Sequence, residues 1–128
     1  MVPSSRVLVV DDEPAIRALV AKIVERAGLP VDVARDGAEA LQKLETERYR
    51  VLVLDLMMPN IDGFELIEQL KERGTHVPAI IVISAGDSAA LRRLDASMVH
   101  SILRKPFDPV EVQQLAFNLS AKWSKINP

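Results

Sequence analysis

Short unbroken apolar runs alternate along this chain with longer stretches in which apolar residues return every three or four positions. Val7-Leu8-Val9-Val10, Val51-Leu52-Val53-Leu54 and Ala79-Ile80-Ile81-Val82-Ile83 lack a period of two and are rich in β-branched residues. Such runs predict strands buried on both faces. Val31-Asp32-Val33 alternates and suits a strand nearer an edge, and Ser101-Ile102-Leu103 carries the weakest strand signal. Helical spacing links Ile16, Leu19, Val20, Ile23 and Val24 behind Pro14, with Gly28 as a stop. Ala38, Leu41 and Leu44 line a second predicted helix, and Phe64, Leu66, Ile67 and Leu70 a third, between an Asp62 cap and Gly74. A fourth is expected from an Asp87 cap to about Asp95. A fifth follows an Asp108 cap, with Val112, Leu115, Ala116 and Leu119 inward. Five strands alternating with five helices imply an α/β fold, a parallel sheet with helices on both faces.

Composition narrows this reading. The 128 residues fit one domain, and 48% apolar residues argue against disorder. A net charge of −2 gives no global basic footprint for nucleic acid, so direct nucleic-acid binding is not expected. The absence of cysteine excludes disulfides and a thiolate zinc site. No apolar run nears the ~18 residues of a membrane span, and no signal peptide is visible, so a cytoplasmic location without membrane association is expected.

The candidate chemistry lies where the strands end. The first strand runs into Asp11-Asp12-Glu13, the third into Asp55, the fourth into Ser84 and the fifth through Arg104 to Lys105-Pro106. Ligand sites of open α/β sheets lie beyond the carboxyl ends of the strands, where strand order reverses. With the first and third strands adjacent, Asp11, Asp12 and Asp55 would converge, flanked by Ser84 and Lys105. Three close carboxylates repel unless a cation or proton intervenes. An all-oxygen set suits Mg²⁺, and no histidine lies near these positions to favour zinc or copper. Phosphoryl transfer needs an in-line nucleophile and fixed positive charge. Asp55 can serve as the nucleophile.

Leu8-Val9-Val10-Asp11-Asp12-Glu13, Asp55-Leu56-Met57-Met58-Pro59-Asn60-Ile61-Asp62-Gly63, Ser84-Ala85 and Lys105-Pro106-Phe107 resemble the signatures of response-regulator receiver domains, in the right order and spacing. The resemblance extends from about Arg6 to Lys122, and the expected organisation is a single receiver domain over residues 1–128 with a core of about 6–122. It implies a flavodoxin-like doubly wound (βα)5 fold with strand order 2-1-3-4-5. It also implies Mg²⁺-dependent phosphoryl transfer to Asp55 from a sensor histidine kinase or phosphotransfer protein, with slow self-dephosphorylation. Asp12 would bind Mg²⁺ directly, Asp11 largely through water, and Met57 through its backbone carbonyl. Ser84 would be the switch hydroxyl, and Lys105 would pair with the phosphoryl group across a cis bond to Pro106. A downstream effector, or a second copy in a phosphorylation-dependent homodimer, would use the face of the fourth helix, fifth strand and fifth helix. The sequence departs from the pattern at Ile102, where an aromatic residue is usual, and at Met98-Val99, where Gly-Ala is usual.

Two other functions compete. An aspartyl-nucleophile phosphatase of the haloacid-dehalogenase type would carry a second Asp two places after the nucleophile, where this chain has Met57. A pseudo-receiver interaction module would lack a site residue, and this chain lacks none. Glu25-Arg26 and Arg92-Arg93 read as solvated faces, His76 and His100 as surface or boundary residues, and Trp123 as helix-end packing.

Overall fold

The computed structural model describes residues 6–58, 62–74, 76–85 and 88–126. The side chains of residues 88, 90 and 122–126 are outside that description. Five strands and five helices alternate: β1 (Val7–Val10), α1 (Pro14–Glu25), β2 (Val31–Ala34), α2 (Gly37–Thr46), β3 (Val51–Asp55), α3 (Gly63–Arg73), β4 (Ala79–Ser84), α4 (Ser88–Leu91), β5 (Val99–Arg104) and α5 (Pro109–Ile126). All strand pairs are parallel and the order is β2-β1-β3-β4-β5. This is the flavodoxin-like α/β arrangement that the sequence implied.

Alternation along the central strands divides the core in two. Leu8, Val10, Leu52, Leu54, Ile80 and Val82 meet α2 and α3 on one face, joined by Leu91, Leu94 and Met98. Val7, Val9, Val51, Val53, Ile81 and Ile83 meet α1 and α5 on the other. Both sides being covered explains the unbroken apolar runs. The edge strand β2 keeps its alternating Asp32, whose carboxylate accepts from Tyr49 Oη at 2.7 Å and from Arg6 Nη1 at 3.1 Å.

The helix ends follow their local chemistry. Pro14 is the first residue of α1, and the Asp62 carboxylate caps α3 by accepting from the Glu65 N–H at 2.9 Å. Gly74 closes α3 at φ 70°, and Asp108 accepts from the Val110 N–H at 2.9 Å to start α5. Gly28, at φ 84°, lies three residues beyond the end of α1.

Three expectations are corrected. Leu19 is exposed, because α1 is covered from one side only. Ala40, not Ala38, is the residue of α2 against the sheet. The fourth helix ends at Leu91, and Arg92–Met98 forms turns in which Asp95 accepts from the Ser97 N–H and Oγ. Arg92 and Arg93 are exposed as expected, and the Arg93 guanidinium also lies 4.2 Å from the Phe64 ring centroid. The expected Asp87 cap and the packing of Trp123 fall outside the described residues.

Candidate functional site at the carboxyl rim of the sheet

Strand order puts β1 and β3 side by side, with Val10 paired to Leu54. The residues that follow, Asp11 and Asp12 from one strand and Asp55 from the other, therefore leave the sheet together. One oxygen from each carboxylate lies within 4.8 Å of the others. Asp11 and Asp55 are only 4% and 5% exposed. Lys105 reaches in from beyond β5, its Nζ 3.5 Å from Asp11 Oδ2 and 3.8 Å from Asp55 Oδ2. The bond between Lys105 and Pro106 is cis. Ser84 ends β4, buried, and its carbonyl accepts from the Lys105 N–H at 3.0 Å. The five residues singled out from the sequence thus share one rim.

Burial pushes the Asp55 carboxyl up to about 6, and the neighbouring Asp11 carboxylate adds to the rise; Lys105 and the Met57 N–H pull the other way. That N–H donates to Asp55 Oδ1 at 3.3 Å, while the Met57 side chain is exposed. Three converging carboxylates, two of them buried, have the chemistry of a cation site. Its donors are all oxygen, which fits Mg²⁺.

Gly63 fixes the other wall. Its N–H donates to the Leu56 carbonyl at 2.9 Å, and a Cβ there would stand 2.6 Å from Leu56 Cα and 2.9 Å from the Asp55 carbonyl oxygen. Only glycine lets the start of α3 approach the backbone of the Asp55 loop this closely. Sequence reasoning missed Arg17, whose Nη1 donates to the Asp11 carbonyl at 3.0 Å. A basic residue early in a helix ordinarily reads as a solvated face. The usable signal was its position four residues after Glu13, on the turn nearest the acidic pair.

Residues 7–117 match the family model of the response regulator receiver domain, and the chain belongs to that family. It is 39% identical over 110 residues to the alkaline phosphatase synthesis transcriptional regulatory protein PhoP of Bacillus subtilis, covering 85% of this chain and 45% of that protein. It is 42% identical over 106 residues to the response regulator MprA of Mycobacterium tuberculosis, covering 81% and 45%. The chain thus spans about half the length of these relatives. Among solved structures it resembles the receiver domain of a Francisella response regulator, at TM-score 0.82 and 34% identity over 91% of this chain and 97% of that one. It also resembles the response regulator TrrA of Thermotoga maritima in complex with Mg(2+)-BeF, at TM-score 0.78 and 32% identity over 89% and 97%.

Proposed function

We propose that this receiver domain is a phosphorylation-dependent switch whose acceptor is Asp55. The observation that carries the reading is the convergence of Asp11, Asp12 and Asp55 with Lys105 beside them. An Asp55 oxygen attacks the phosphorus of a phosphohistidine on a sensor kinase or phosphotransfer protein. The P–O bond forms as the P–N bond breaks, leaving an aspartyl phosphate and a free imidazole. Asp11, Asp12, Asp55 and the Met57 carbonyl would hold Mg²⁺, which supplies positive charge against the phosphoryl oxygens. The Lys105 ammonium, now shared between two carboxylates, turns to the new phosphoryl group, and the Ser84 hydroxyl donates to another of its oxygens. Water later hydrolyses the aspartyl phosphate slowly, so the domain acts on itself and is not a turnover enzyme.

The signal leaves through α4, β5 and α5. Ile102 on β5 and Val110 and Phe117 on α5 are exposed apolar residues on that face, which suits an effector or a second phosphorylated copy. A cytoplasmic setting accords with a kinase donor. Among the described residues no helix is long and apolar enough to cross a membrane.

Incubation with acetyl phosphate and Mg²⁺ tests the core of this reading. Intact mass should show one added phosphoryl group, and none in Asp55→Asn. Full labelling of that variant would remove Asp55 from the role.

A further inference from the structure

We infer that Arg17 is a positioning residue for the cation site, acting through the backbone of Asp11. This inference rests on the Mg²⁺ reading of the three carboxylates. Asp11 follows the last residue of β1, so its carbonyl lies past the β1 ladder, yet the residue is only 4% exposed. A buried carbonyl needs a donor. Arg17, on the first turn of α1, supplies it at 3.0 Å.

The other groups of Asp11 are also tied. Its N–H donates to the Ala34 carbonyl at 3.2 Å, Oδ1 accepts from the Glu13 N–H at 2.9 Å, and Oδ2 faces Lys105 at 3.5 Å. Glu13 caps α1 without a side-chain hydrogen bond of its own. The peptide joining Asp11 to Asp12 is therefore oriented from the helix side by one guanidinium. With Asp11 held by these contacts, rotation of that peptide would swing the Asp12 carboxylate away from Asp55.

The sign of the effect separates positioning from electrostatics. A cation near the site repels Mg²⁺, so its charge alone would make Arg17 unfavourable, and Arg17→Gln would tighten binding. Positioning demands the reverse. Loss of a group that orients a metal ligand typically weakens metal affinity about 10-fold or more.

Calorimetric titration of the metal-free protein with MgCl₂, paired with thermal melting without Mg²⁺, decides between them. Arg17→Gln should bind Mg²⁺ about tenfold more weakly. Arg17→Lys, which keeps the charge and a single donor, should lose only a few-fold. Equal or tighter binding by a folded Arg17→Gln overturns the inference, as does a lowered melting temperature with unchanged affinity. Should Arg17→Gln fail to fold, Arg17→Lys decides: a few-fold loss supports the inference, and no loss or a gain overturns it. Wild-type protein that takes up no Mg²⁺ would instead sink the site reading, and this inference with it.

Discussion

At the scale of single residues, Asp55, the proposed acceptor, is a carboxylate held in an unfavourable state. Its carboxyl rises from 3.8 to about 6, first through burial and then through Asp11. The folded protein therefore holds this proton more tightly than the unfolded chain does. The stability it contributes is fully present below about pH 4 and is lost as pH rises through about 6. The rise corresponds to about 3 kcal/mol at most. Urea melts of metal-free protein should show a downward trend in stability between pH 4 and 6 that is absent in Asp55→Asn; an identical trend in both would place its origin elsewhere. Asp11, Asp12, Asp55, Ser84 and Lys105 were legible in the sequence because each ends or follows a strand, and strand ends define the rim. Arg17 was harder to read, because its partner is a backbone carbonyl and only its place on the turn nearest the acidic pair hints at the contact.

At the scale of elements, the least legible part was the passage from β4 to β5. Its apolar residues Leu91, Leu94 and Met98 keep three- and four-residue spacing, yet the helix stops at Leu91. Side-chain contacts help to hold the rest. Lys71 Nζ meets Asp95 Oδ2 at 2.6 Å, and Arg93 covers Phe64, so α3 grips the segment on its own side of the sheet. Hydrogen bonds from Lys71 and then Ser97 hold the Asp95 carboxyl well below the usual carboxylate range. The grip therefore persists until strong acid protonates Asp95 or strong base deprotonates Lys71, whose ammonium the same contact favours. An exposed ion pair adds little to global stability, but it restrains local opening. Lys71→Met should speed amide exchange over residues 94–98 a few-fold and leave the melting temperature nearly unchanged. Unaltered exchange would show that apolar packing alone holds the segment. In the proposed switch, Ile102 has no aromatic ring to turn inward, and these contacts are the ones a shift of α4 would have to loosen.

At the scale of the whole molecule, the proposed cation site should feed into the stability of the fold. Three carboxylates brought together by β1 and β3 oppose folding, and the single Lys105 ammonium beside them offsets that repulsion only in part. Mg²⁺ at 100 times its dissociation constant should add about 2.7 kcal/mol. Scanning calorimetry with and without millimolar MgCl₂ should show a higher melting temperature with the metal, and indifference would count against the site. The layered architecture was legible from the alternation of runs and helices. Strand order was not, because periodicity shows which faces are buried and not which strands are neighbours; it came from the resemblance. That order also has a consequence in time. Val7 pairs with Val31 on one side and Val51 on the other, so β1 has both its neighbours only once β3 has been synthesised. At roughly 5–20 residues per second on the ribosome, β1 waits seconds for its second partner. Asp11 and Asp12 emerge long before Asp55, so the carboxylates meet only when the apolar strands beneath them have paired. The repulsion that prepares the site is deferred until the core is in place to withstand it.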